Sequence, residues 1–379
     1  MKFIHLSDLH LGKRVNECSM LEDQQYILNE ILRIVEEEAP DGILLAGDIY
    51  DKSMPSAEAV ALLDDFLVRL SRMGQKVFVI SGNHDSAERV AFGGRLMEGS
   101  GVYLAPVYDG KVEPIELEDG YGTVRLWLLP FVKPIHVRHC FPDREITSYT
   151  DALATAVEAM GVDPSERNVL VTHQFVTGAS RCDSEDIAVG GTDNVDVSVF
   201  DPFDYVALGH IHGPQYVGRE TVRYCGTPLK YSFSEAKHHK SVTVVELGQK
   251  GDVQIRTVPL HPLRDLVELR GTYEELAFKG FYEGTSYRDD YVHITLTDED
   301  DVPDAVGRLR VIYRNLMKLD YDNLRTRTNL SPVGGASVEQ KDPLELLEEF
   351  YRIQNGQPMS EEQRKLAKEL MEDIWEGEA

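Results

Sequence analysis

The sequence predicts an α/β fold, in which a larger sheet-and-helix core is followed by a smaller α/β unit and a helical tail. Three observations predict it. Five short apolar runs each end in a small polar cluster rich in Asp, His and Asn. Two stretches between the early runs carry apolar residues at helical spacing, and Pro259 and Pro262 mark a break after which the pattern changes. β-branched runs bounded by Gly read as buried strands, and strands alternating with helices read as a sheet with helices packed on its faces. For a chain of 379 residues, a prior of about 150 per domain gives two or three units.

Taken in order, Lys2 to Leu6 is the first strand and runs into Ser7-Asp8-Leu9-His10. Asp23 to Glu38 follows as a helix, with Ile27, Ile31, Leu32 and Val35 on one face. Gly42 to Ala46 is a strand ending in Gly47-Asp48-Ile49-Tyr50-Asp51, and Ala57 to Met73 is a helix with Val60, Leu63, Leu67 and Leu70 at helical spacing. Lys76 to Ile80 ends in Gly82-Asn83-His84-Asp85, Asn168 to Thr172 ends in His173, and Tyr205 to Leu208 ends in Gly209-His210-Ile211-His212. Val124 to Leu129 and Val242 to Val245 read as short strands of an antiparallel second part of the core. After Pro262, the strands Asp265 to Leu269 and Tyr291 to Leu296 and a helix from Ala305 to Met317 form the smaller unit. Ser331-Pro332-Val333-Gly334-Gly335 reads as a linker. The tail carries one apolar stripe at Leu344, Leu347, Phe350 and Tyr351 and another at Leu366, Leu370 and Ile374, with Ser360-Glu361-Glu362-Gln363 as a capping box. The expected division is therefore 1–260, 261–330 and 331–379.

Composition narrows the class. No apolar run reaches the length of a membrane span, and no charged segment followed by an apolar one opens the chain, so a cytoplasmic location is expected. Cys18, Cys140, Cys182 and Cys225 are scattered without a CxxC pair, which fits reduced thiols rather than disulfides or a zinc–thiolate site. The net charge of −26 argues against a protein that holds nucleic acid by a basic face alone. Divalent ions would change that balance, since they place strong positive charge where a phosphate sits.

Ligands in open α/β sheets gather beyond the carboxyl ends of the strands, so the five clusters should meet on one rim. Asp8 and His10, two apart in an extended segment, would reach one ion together, and His210 and His212 would converge on the same site. Asp48, at the tip of a central strand, is the natural bridge between two ions, and Asn83 offers a neutral carbonyl oxygen. Such ligands, without thiolate, favour manganese, iron or zinc. Two ions about 3.5–4 Å apart clamp the attacking and leaving oxygens of a displacement at phosphorus, so no nucleophilic serine or cysteine is required. His84 follows a ligand and would face the substrate as the proton donor to the leaving oxygen, with Asp51 orienting its imidazole. Asp85 is expected to fold its carboxylate back onto the turn.

Each element alone has an ordinary explanation. Asp-x-His pairs are common on surfaces, Gly-Asn-His-Asp makes a good turn, and a lone His173 reads as a core histidine. All five at apolar strand ends together do not. By contrast, His136, His139, His238, His239 and His261 lack this context and read as surface or structural residues.

The ordered set Asp8-x-His10, Gly47-Asp48-x-x-Asp51, Gly82-Asn83-His84-Asp85, His173 and Gly209-His210-x-His212 resembles the calcineurin-like metallophosphoesterases. The resemblance implies a two-sheet sandwich flanked by helices. It implies one ion held by Asp8, His10, Asp48 and His212 and another by Asp48, Asn83, His173 and His210, with His84 as general acid and Asp51 as its partner carboxylate. The segments Phe203 to Gln215 and Cys225 to Glu235 narrow it to the superfamily's DNA nucleases, which work with an SMC-like ATPase partner. That branch implies two manganese ions, a homodimer, a small capping domain against DNA, and tail helices docked on the ATPase. Phosphatases and small-molecule phosphodiesterases share the core. The superfamily's protein phosphatases, however, carry Arg-Gly after the second cluster where this chain has Lys52-Ser53, and a vestigial adaptor would show a degraded ligand where every position here is filled.

Overall fold

Strand formation follows the apolar runs. In the structure, a computed structural model, β1 (Lys2–Leu6), β2 (Gly42–Ala46), β3 (Lys76–Ile80) and β4 (Val102–Leu104) lie side by side and parallel. A second sheet contains β5 (Ile115–Asp119), β6 (Gly122–Leu129), β7 (Arg167–His173), β8 (Tyr205–Gly209), β9 (Gln215–Val217) and β10 (Arg219–Tyr224). Its order is β9-β10-β8-β7-β6-β5, with the central four strands parallel. β11 (Ser241–Leu247) and β12 (Val253–Pro259) then return to the first sheet, β11 antiparallel to β1 and β12 to β11. The described residues are 1–185, 194–323, 326, 342–355 and 358–377, the side chains of 353–355 and 372–377 excepted.

The two sheets bury alternate residues against each other. Phe3, Leu44, Phe78, Val169, Val171, Tyr205 and Ala207 fill the space between them. The intervening residues Ile4, Ile43, Leu45, Val77 and Val79 pack outward against α1 (Leu21–Glu38) and α2 (Ala57–Arg72). Trp127, Leu170, Val206 and Leu208 do the same on the other side, against α5 (Pro134–Cys140) and α6 (Tyr149–Met160). Two short helices, α3 (Ala87–Val90) and α4 (Gly94–Met97), lie between β3 and β4 in the chain. The result is helix, sheet, sheet, helix, built on period-2 alternation. At the base, the Arg167 guanidinium grips the Asp119 carboxylate through two bonds of 2.7 Å, and Asp119 also meets the Met1 amine at 2.7 Å.

The smaller unit has its own three-stranded sheet and core. β13 (Leu266–Gly271), β14 (Tyr291–Leu296) and β15 (Asn315–Tyr321) are parallel. They pack Leu269, Val292 and Ile294 against Leu276 of α7 (Tyr273–Ala277) and Leu309. α8 (Lys279–Tyr282) follows α7, and Leu309 lies on α9 (Ala305–Arg310).

Two expectations are corrected here. The helix expected to reach residue 317 stops at Arg310, and Asn315–Tyr321 is a strand: pairing with β14 and burial of Leu316 override the local helical pattern. Val124–Leu129 belongs to β6, which is parallel to β7 and antiparallel only to β5, against the antiparallel pairing expected, whereas Val242–Val245 lies in β11 and is antiparallel on both sides.

The tail comprises α10 (Pro343–Asn355) and α11 (Glu361–Gly377). The capping box forms, with Ser360 N donating to Gln363 Oε1 at 2.9 Å and Gln363 N to Ser360 Oγ at 3.2 Å. Leu344 is buried, while Phe350, Leu366 and Leu370 remain 61%, 56% and 52% exposed. The expected linker at 331–335 and the side chain of Ile374 lie outside the described residues. Among the described residues no helix is long and apolar enough to cross a membrane.

Candidate metal centre

The ends of β1, β2, β3, β7 and β8 meet on one rim, where the two sheets come into direct contact. The approach is closest at Gly209, where a Cβ would overlap the Ala46 carbonyl oxygen. Gly82 has the same function toward Asp48, whose Oδ1 a Cβ would likewise strike. Only glycine lets the strand ends of both sheets close so tightly.

Sequence reasoning placed Asp8 and His10 in an extended segment. The structure corrects this: β1 ends at Leu6, and both residues have left-handed backbone, φ 53° and 44°. Asp48 (φ 46°) and His210 (φ 105°) are also at positive φ. Each such residue costs about 1–3 kcal/mol, so four in one site need strong local support. Main-chain bonds supply part of it: Asp8 N to Gly47 O (3.0 Å), His10 N to Asp48 O (3.0 Å) and Leu11 N to Ile49 O (2.9 Å) run the loop after β1 along the loop after β2. The Asp8 carboxylate accepts from His210 N at 3.0 Å, and Asp48 Oδ1 accepts from His84 N at 2.9 Å.

The side chains form two clusters sharing one carboxylate. In the first, His10 Nε2 lies 3.2 Å from His212 Nε2 and 3.7 Å from Asp48 Oδ2, and Asp8 gathers with both imidazoles. In the second, Asn83 Oδ1 lies 3.0 Å from both His173 Nε2 and His210 Nδ1, and His173 Nε2 lies 3.4 Å from Asp48 Oδ2. All seven ligand candidates read from the sequence therefore meet at the rim.

Chemistry supports a cation in both clusters. His173 Nδ1 donates to the Ala46 carbonyl at 2.9 Å, so in the neutral ring Nε2 is a lone pair facing the carbonyl oxygen of Asn83 and the Asp48 carboxylate. Acceptors converging on one point need a proton or a metal between them. Burial disfavours charge on His173, yet Asp48 and Asp8 push its pKa up to about 9, so a proton takes that place when no ion is present. Burial holds His10 and His210 well below the usual imidazole value. Burial also opposes the charge on Asp48, but His173, His84 and His10 around it keep its carboxyl well below the usual range. Neutral imidazoles and an ionised bridge are what a divalent cation requires.

A surrounding layer, unread in the sequence, orients the ligands. Ser184 Oγ lies 2.7 Å from His212 Nδ1 and donates to Glu235 Oε1 at 2.6 Å, while Glu185 Oε1 accepts from His212 N at 2.6 Å. Glu235 is fully buried with the Lys240 ammonium at 2.5 Å. Burial works against the charge of Glu235, but its contacts with His212 and Lys240 hold the carboxyl well below the usual range. Asp85 accepts from Gly82 N (2.9 Å), Ile49 N (3.0 Å) and Tyr50 N (2.9 Å), so its carboxylate does fold onto the turn and also ties the loop after β2 to it.

His84 sits differently. Its Nε2 is 3.8 Å from Asp48 Oδ2, and its Nδ1 lies 3.1 Å from the main-chain carbonyl of Asp51. The sequence pointed to the Asp51 carboxylate as the orienting group. That carboxylate forms an ion pair with Lys13 Nζ at 2.8 Å and lies 3.9 Å from His10 Nδ1, and the bond to His84 comes from the main chain.

Two family models match separate parts of the chain. The calcineurin-like phosphoesterase family matches residues 1–214, and the family described as the type 5 capsule protein repressor C-terminal domain matches residues 262–355. A curated relative, the SbcD subunit of the nuclease SbcCD from Staphylococcus epidermidis, is 33% identical over 382 residues, covering 100% of both chains. Among solved structures, a dimetal phosphatase from Danio rerio aligns at 12% identity with a TM-score of 0.39, over 69% of this chain and 98% of that one.

Proposed function

The chain belongs to the calcineurin-like phosphoesterases and, over its full length, to the SbcD nuclease subunits, and on that basis we propose that it is a two-metal DNA nuclease working with an SbcC-type ATPase. The observation that carries this reading is the pair of ligand clusters joined through Asp48. Two divalent ions held there, manganese in this reading, would supply the Lewis-acid chemistry for displacement at phosphorus. Asp8, His10, Asp48 and His212 would hold one ion, and Asp48, Asn83, His173 and His210 the other. His84 is the general acid. With Nδ1 on the Asp51 carbonyl, its partly exposed imidazole uses Nε2 to give a proton to the departing sugar oxygen.

The reading extends to a duplex exonuclease driven by ATP in the partner and an endonuclease on hairpins and single strands, in DNA repair and recombination, in the cytoplasm at the nucleoid. Residues 1–260 form the nuclease domain, 261–330 cap it against DNA, and 331–379 reach the coiled coil of SbcC. A homodimer is supported by Phe92 and Leu96, four residues apart around α4 and 85% and 87% exposed. A full-length nuclease relative and the two additional units favour this reading over a small-molecule phosphodiesterase or phosphatase.

The test is an assay of the full chain on hairpin and blunt duplex DNA, with metals varied and with or without the ATPase and ATP. The expected result is metal-dependent cleavage of the hairpin, with duplex degradation rising when partner and ATP are added. Hydrolysis of small phosphomonoesters with no cleavage of DNA under any of these conditions overturns it.

A further inference from the structure

Two consecutive buried polar residues in the first turn of α1 face different parts of the molecule. Asp23 is fully buried, and its Oδ2 accepts from Tyr291 OH at 2.7 Å and from Arg264 Nη1 at 2.8 Å, both belonging to the smaller unit and the segment leading into it. Gln24, 1% exposed, turns to the loop after β1. Its Nε2 donates to His10 O at 2.7 Å and to Tyr231 OH at 3.0 Å, and its Oε1 accepts from Gly12 N at 3.0 Å. The Tyr231 hydroxyl in turn donates to Leu9 O at 2.6 Å. Successive side chains on a helix diverge by about 100°, so one rigid turn grips both the smaller unit and the loop that presents His10.

We propose that Gln24 is a positioning residue for His10, and that the first turn of α1 couples the placement of the smaller unit to the ion held by Asp8, His10, Asp48 and His212. The physical need is visible at His10. Its carbonyl, on a left-handed backbone, accepts from Gln24 Nε2 at 2.7 Å as well as from Lys13 N at 3.0 Å, and the same amide holds Gly12 N. Without Gln24 the half-buried Gly12 N–H loses its acceptor and the His10 carbonyl keeps only Lys13 N, which favours another loop conformation, in which the imidazole turns away. Because Asp23 is adjacent on the same helical turn, a shift of Arg264 and Tyr291 moves Gln24 as well. Whatever moves the smaller unit then alters the affinity of one ion and not the other.

The inference rests on the two-ion reading above, which titration of the wild-type chain tests by itself: fewer than two ions would remove that reading. The discriminating experiment is calorimetric titration of Mn2+ into the full-length, metal-stripped chain. Gln24→Met keeps the volume and removes both polar groups. It is expected to weaken one ion by about 10–100-fold and leave the other unchanged. In a His10→Ala background, which already lacks that ion, Gln24→Met should cause no further loss. Arg264→Met should weaken the same ion by about three- to thirtyfold. Two ions bound at wild-type strength in Gln24→Met, or equal weakening of both, overturns the positioning role, and wild-type binding in Arg264→Met overturns the coupling. If Gln24→Met does not fold, Tyr231→Phe removes only the supporting hydroxyl. Loss confined to the same ion is expected there, and equal weakening of both ions overturns the proposal.

Discussion

His84 keeps 18% of its side chain exposed, whereas His10, Asp48, His173 and His212 keep 3% or less. The residue proposed to move a proton is partly exposed, and these four of the residues proposed to hold ions face inward. His84→Ala is accordingly expected to bind both ions while cleavage falls about 10²–10⁴-fold. Metal analysis alongside the rate checks it, and loss of an ion would reassign His84 as a ligand. A second expectation concerns His173. Its raised value, about 9, means that the ion-free ring carries a proton at neutral pH. A ligand must be neutral, so ion binding expels this proton below pH 9, and affinity climbs as pH rises towards that value and levels off above it. Calorimetry in buffers of different ionisation heat should find close to one proton released at pH 7, and none released would contradict the assignment. The ligands were legible because each closes an apolar run. Gln24, Tyr231, Ser184 and Glu185 were not, because their partners lie far away in sequence and their spacing carries no pattern. The left-handed backbone at Asp8 and His10 was hidden too, since non-glycine residues there give no compositional signal.

Some of the exposed apolar side chains gather at α4, α10 and α11. Phe92 precedes α4 and Leu96 lies on it, and changing both to Glu should turn the dimer into a monomer in sedimentation experiments while hydrolysis of a small phosphodiester persists. A monomeric wild type, or an unaltered dimer in the variant, would remove this face from consideration. α10 and α11 bury Leu344 yet leave Phe350, Leu366 and Leu370 outside, as a helix-in-groove ligand would. Deleting residues from Ser337 onward should abolish co-purification with the ATPase and leave small-substrate hydrolysis intact. Retained binding would make the tail an accessory of the core. Element types were read well where periodicity was long, as in α1 and α2. They failed at Asn315–Tyr321, where pairing with β14 outweighs a locally helical pattern, and at β6, where the partner strand alone decides direction.

Over the whole molecule, 65 acidic residues face 39 basic ones. So acidic a chain has little general affinity for a phosphate backbone, and in the reading proposed here the ions and the partner make up the difference. The arrangement of the ligands has one more consequence. Asp8, Asp48 and Asn83 follow strands of the first sheet, while His173, His210 and His212 belong to the second. Ions bound between them would be cross-links, closing the sandwich at its upper seam, while the Met1 amine on Asp119 and Arg167 on the Leu247 carbonyl tie the sheets at the base. Chelation should therefore open the protein like a book along one edge. Hydrogen exchange is expected to quicken at 7–12, 47–51 and 209–212 on metal removal and to stay unchanged near Asp119 and Arg167. Uniform quickening throughout would mean that the ions bind without joining the two halves.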